Sequence, residues 1–150
     1  MIRVIIFVCL LMGGVTGVMA CPTAENPSIV AYTTSGGILD KVQTYPVIAS
    51  GSQHLNECGF NYFGRVTSSP DFEFSINGLE SYDPLNLRVE GACDTVLLVN
   101  DANGTWHFND DSAGRDPSIS IATPPSGVYE VWVGTFSEES CDAMLTLETF

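Results

Sequence analysis

The sequence predicts an all-β fold, a jelly-roll-like β-sandwich of about 8 to 10 antiparallel strands, with a closed barrel as the other architecture of the same pattern. Three observations carry this prediction. Short apolar or alternating runs recur about every eight to twelve residues, Gly, Pro, Asn and Ser cluster between them, and no stretch keeps the 3.6-residue period of an amphipathic helix.

In chain order the first predicted strands are SIVAYT (28 to 33), KVQTYPVIA (41 to 49) and FGRVT (63 to 67), runs of β-branched and aromatic residues between turn-forming clusters. DFEFSIN (71 to 77) alternates most cleanly: Phe72, Phe74 and Ile76 share one face and Asp71, Glu73 and Ser75 the other, so one face is buried and one is wet. LNLRVE (85 to 90) repeats the pattern with Leu85, Leu87 and Val89 inward, whereas TVLLVN (95 to 100) is apolar on both faces and reads as a central strand covered on each side. TWHFN (105 to 109), SISIA (118 to 122), VYEVWVG (128 to 134) and AMLTLET (143 to 149) complete the set. Turn chemistry agrees with these boundaries: SSPD (68 to 71), DANG (101 to 104) and PPSG (124 to 127) place Pro or Asp early, and Pro84 in SYDPLN ends the segment before it.

Residues 1 to 20 read as a secretory signal peptide: Arg3, an apolar run from Val4 to Met12, then the small-residue close Val18-Met19-Ala20. Gly13, Gly14 and Thr16 interrupt the run before it reaches the length of a membrane span. Residues 21 to 150 form one domain without linker or repeat. Val18-Met19-Ala20-Cys21 also resembles a bacterial lipobox, to which Met19 is a poor fit.

With Cys9 removed in the signal, Cys21, Cys58, Cys93 and Cys141 remain, an even set suited to two disulfides in an oxidising compartment. A lipid anchor on Cys21 would strand one thiol, so the soluble secreted or periplasmic form is the expectation. Spacing alone does not choose among the three pairings. Cys93 and Cys141 each precede a strand-like run, which favours Cys93 with Cys141 and leaves Cys21 with Cys58.

All eighteen acidic residues lie beyond residue 20, against Lys41, Arg65, Arg88 and Arg115. That balance repels nucleic acid and anionic membrane surfaces and favours cations or cationic proteins. Simple solubility outside the cell accounts for it equally well.

The stretch CDTVLLVNDANGTWHFNDDSAGRDPSISI, followed by PPSGVYEVWVGTF, is similar to the bacterial pre-peptidase C-terminal domain family, whose outline is a strand and Asn-Gly turn, an Asn-Asp-Asp element, then Ser-Gly before the last hairpin. The resemblance is strongest over 93 to 150. It implies a β-sandwich that accompanies secreted peptidases and other hydrolases, non-catalytic itself, associated with calcium or with extracellular polymers.

Composition makes the 100-to-116 loop the candidate Ca²⁺ site, through Asp101, Asn103, Asn109, Asp110, Asp111 and Asp116. The spacing is not that of an EF-hand, since His107 and Ser112 stand where a carbonyl donor and a bidentate Glu belong. Asp101 and Asn103 suit a hairpin turn as well as a metal, so the functional claim rests mainly on 109 to 116. A catalytic alternative uses Ser112 with His54 or His107, but neither a Gly-x-Ser-x-Gly elbow nor a zinc spacing supports it. Alternation along VYEVWVG puts Trp132 on the face opposite Tyr129, Val131 and Val133, which makes Trp132 the ligand-contact candidate.

The expectation is therefore an exported, disulfide-stabilised, non-catalytic module that binds an extracellular or periplasmic protein or polymer, with calcium at the acidic loop. The alternatives are a small serine peptidase-like hydrolase and an acidic inhibitor or adhesin that holds a cationic protein.

Overall fold

A computed structural model describes residues 20 to 137 and 139 to 150. The signal peptide expected over residues 1 to 20 lies, up to residue 19, outside the described residues. Eleven strands are present among the described residues: β1 (Val30–Ser35), β2 (Gln43–Ala49), β3 (Gln53–His54), β4 (Arg65–Val66), β5 (Phe72–Asn77), β6 (Leu85–Gly91), β7 (Thr95–Asn100), β8 (Trp106–Asn109), β9 (Ser118–Ile121), β10 (Gly127–Thr135) and β11 (Cys141–Thr149). A one-turn helix, α1 (Gly36–Leu39), follows β1, and a 3-10 turn spans Leu55–Cys58.

The strands form two sheets packed as a sandwich. In the larger, the order β1-β5-β10-β4-β3 is joined by β7, which pairs β10 and β8; in the smaller it is β2-β11-β6-β9. All ladders are antiparallel except β1 on β5, with Val30 opposite Phe72 and Ser35 opposite Asn77. The parallel pair departs from the all-antiparallel expectation. It arises because the chain leaves β1, crosses to the smaller sheet as β2, and returns before β5, a connection long enough for a parallel return.

The main core lies between the sheets and holds Phe72, Phe74 and Ile76 of β5, Leu85, Leu87 and Val89 of β6, and Tyr129, Val131 and Val133 of β10. These are the inward faces that alternation assigned. A second cluster, Leu55, Val66, Val96, Leu98 and Trp132, covers the outer face of the larger sheet, with Phe60, Tyr62, Trp106 and Phe108 packed against it. All six residues of β7 are buried because both of its faces are covered, as its doubly apolar sequence requires. Cys21 is bonded to Cys58, tying the N-terminal segment to the covering turn, and Cys93 to Cys141.

β10 positions the site described below. It carries β7 on one flank, while on the other β5 covers Gly127 to Val131 and β4 meets it only at Thr135. Between these two partners, among the described residues, Val133 has no facing strand on that flank, and a gap is left in the ladder.

Candidate functional site

Two side-by-side groups fill the gap at Val133. The Val133 N–H donates to Asp71 Oδ2 at 2.8 Å, and the Val133 carbonyl accepts the Ser50 N–H at 3.2 Å. Asp71 itself sits one residue before β5, with its N–H on Val131 O and its carbonyl accepting the Val30 N–H. The residue is 7% exposed. Burial raises its carboxyl from 3.8 to about 7, against the opposing pull of the Val133 N–H. Alternation placed Asp71 on the wet face with Glu73 and Ser75. The structure corrects this, because Asp71 is buried and its carboxylate stands in for a missing strand partner beside Val133.

Asp71 lies in the wall of a cavity of about 300 Å³ that opens between the sheets where β1 and β2 face each other. Ile29, Val30, Pro46, Val47, Ile48 and Phe72 make it apolar, and Ser50, Thr67 and Asp71 supply its polar atoms. Farther along the same edge the sheets are closed by Tyr32 against Tyr45, ring centroids 4.8 Å apart, and by both rings against Phe74. At the open end Ile29 is 67% and Ile48 55% exposed, so the mouth is apolar and wet. Wider depressions lie at Leu79 to Asp83 and beside Met144, but their ionisable residues, Glu80, Asp83 and Asp142, are exposed. An apolar cavity with one buried, perturbed carboxyl is the combination expected of a binding site.

The residues singled out by sequence fall elsewhere. Asp101 closes the β7–β8 hairpin: Oδ1 accepts the N–H groups of Asn103 and Thr105, both at 2.9 Å, and Oδ2 meets His107 Nε2 at 2.8 Å. Burial alone would raise its pKa, but the bonds from His107, Thr105 and Asn103 together hold it below the usual carboxylate value. Asn109 Oδ1 accepts both the Ser112 hydroxyl and the Ser118 N–H, and Asp116 Oδ1 accepts the Gly91 N–H. Asp110 and Asp111 stand near Asp94, whose carboxyl is raised by desolvation, then by Asp111, with a smaller push from Asp110 and relief from Arg115. Among the described residues, no three His, Cys, Asp or Glu side chains converge on a point where a metal ion could sit.

Ser112 donates to Asn109 and Ser118, and among the described residues it has no hydrogen bond to a histidine; His107 is held by Asp101. Trp132 is 0% exposed and offers no surface to a ligand. The alternation that set it outward was right about the face. The segment from Leu55 to Val66 covers that face, and Trp106 packs on Trp132 with centroids 5.3 Å apart.

No family model matches the sequence, and no curated protein does. Among solved structures, the chain is similar to the pre-peptidase C-terminal domain of a collagenase from Bacillus anthracis, with a TM-score of 0.50 and 10% identity over 83% of this chain and 99% of that one. The fold is pre-peptidase C-terminal-like. Within a pre-peptidase C-terminal-like sandwich, Asp71 had no signal in the sequence: it precedes an ordinary alternating strand, and its burial depends on a gap in a ladder formed by residues about sixty positions later. No helix among the described residues is long and apolar enough to cross a membrane.

Proposed function

We propose that the chain is an exported, disulfide-stabilised, non-catalytic module that binds an extracellular or periplasmic polypeptide or polymer in the cavity between β1 and β2. The observation that carries this reading is the buried Asp71 carboxyl in the wall of an apolar, open-mouthed cavity. Two disulfides fit an oxidising compartment, and the similar domain belongs to a collagenase, a peptidase with an appended C-terminal unit. Among the described residues Ser112 is tied to Asn109 and not to a histidine, which favours binding over hydrolysis.

Calcium enters the proposal only as a counter-ion of the crowded Asp94, Asp110 and Asp111 carboxylates. A resident site is not part of the proposal: Ca²⁺ takes about six to eight oxygens, and Asn109 Oδ1, both Asp101 carboxylate oxygens and Asp116 Oδ1 accept the protein's own hydrogen bonds.

Cell fractionation with thiol alkylation tests the reading. The full chain expressed in a bacterium is expected in the periplasm or medium with its cysteines oxidised, and a fluorophosphonate probe leaves it unlabelled. Reduced cysteines in a cytoplasmic pool, or labelling lost in Ser112→Ala, would overturn it.

A further inference from the structure

Resting on that reading, we propose that the occupant is an extended polypeptide that adds as a strand to the free edge of β1 and places a lysine or arginine side chain in the adjoining cavity, its cationic tip on Asp71.

Three independent features carry this. The first is the edge itself. β1 ends the larger sheet and pairs only with β5 among the described residues, so its other flank presents unpaired backbone groups. Natural sheets blunt such edges with proline, charge or brevity. The facing edge strand, β2, carries Pro46; β3 has two residues, β8 and β9 four each. β1 has six, VAYTTS, with no proline and no charge. An open, uncharged edge of that length is a template for an incoming strand.

The second is the cavity. Its mouth lies at Ile29 and Val30, where β1 begins, so a strand along β1 passes over it. Side chains alternate along a strand, and every second one faces the sandwich. Aliphatic walls at Val30, Val47 and Ile48 suit a methylene stem, and Asp71 suits its charged tip. Asp71 Oδ2 is taken by Val133, while Oδ1 has no hydrogen-bond partner among the described residues. A carboxyl held at this depth is costly to ionise until a cation meets it.

The third is the field. A formal charge of −13 repels a second copy of the chain and draws a cationic segment toward the site.

The test titrates the oxidised, ¹⁵N-labelled protein with the peptide acetyl-Thr-Val-Lys-Val-Thr-amide and with its norleucine counterpart, which keeps the stem and removes the ammonium. Saturable amide shifts are expected at residues 29 to 35 and at Asp71, with the lysine peptide bound about tenfold tighter or more, as a charge-assisted hydrogen bond provides. That preference disappears in Asp71→Asn, whose fold is checked by its melting curve. Equal affinity of the two peptides overturns the cationic assignment while leaving a binding module. Shifts away from β1, no binding of either peptide, or a dimer that protects the β1 amides overturns the proposal, while export and oxidised cysteines remain a separate question.

Discussion

Asp71 Oδ2 takes the N–H of Val133 at 2.8 Å, a side chain completing a ladder that β5 leaves at Val131 and β4 resumes at Thr135. One carboxylate thus bridges a gap in the sheet and supplies part of the polar wall of a cavity, and both roles give it measurable consequences.

The first is a pH dependence of stability. The folded pKa, about 7, exceeds the ordinary value of 3.8, so Asp71 keeps its proton in the folded state over a range where the unfolded chain has lost it. Its contribution is fully present below about pH 4 and is lost as pH rises through about 7, amounting to roughly 4 kcal/mol. Denaturant unfolding from pH 4 to 8 should show Asp71→Asn gaining several kcal/mol on the wild type as pH rises. Parallel curves for the two proteins would contradict the burial of this carboxyl.

Asp101 behaves in the opposite sense. Its folded pKa is depressed, so its contribution is present above the ordinary carboxylate value and is lost as pH falls through the folded one. Asp101→Ala removes the acceptor for Asn103, Thr105 and His107 together and should cost about 2 to 3 kcal/mol near neutral pH. Hydrogen exchange should quicken at the β7–β8 hairpin before the rest of the sheet. A variant as stable as the wild type would deny the carboxylate its closing role.

Trp132 reports on the cover laid over the larger sheet. Its emission should be blue-shifted and insensitive to the cavity's ligand, and Trp132→Ala should cost about 3 to 5 kcal/mol. Replacing Cys21 and Cys58 by serine releases the segment that bears Phe60 and Tyr62, at about 2 to 4 kcal/mol, and should red-shift that emission. Unchanged emission in the serine variant would show that packing alone holds the cover.

At the acidic loop, neutralising one carboxylate relieves its neighbours. Asp111→Asn should lower the Asp94 pKa, read by carboxyl NMR, and should remove any small rise in melting temperature that millimolar calcium gives the wild type. A large calcium-dependent rise that survives the substitution would place an ion elsewhere.

Strand positions and inward faces were legible in the sequence because they depend on local alternation: Phe72, Phe74 and Ile76, or Leu85, Leu87 and Val89, are buried for reasons contained in their own strands. The doubly covered β7 was legible for the same reason, its cover being written in its composition. The site was not. Trp132 changes from exposed to enclosed only when residues 55 to 66, a stretch with one short strand and a 3-10 turn, fold over its face. Asp71 is drawn onto Val133 only because β5 and β4 leave a gap on β10, and single-strand alternation carries no information about gaps between strands. The acidic loop drew attention by composition, and three of its side-chain oxygens, Asp116 Oδ1, Asp101 Oδ1 and Asn109 Oδ1, accept the N–H groups of Gly91, Thr105 and Ser118.

The most direct test of the central claim is the ¹³C titration of the Asp71 side-chain carboxyl in the free, oxidised protein. A midpoint near 7 is predicted for a carboxyl buried in the cavity wall between β1 and β2; a midpoint near the ordinary 3.8 would mean that Asp71 is solvated and would contradict the site.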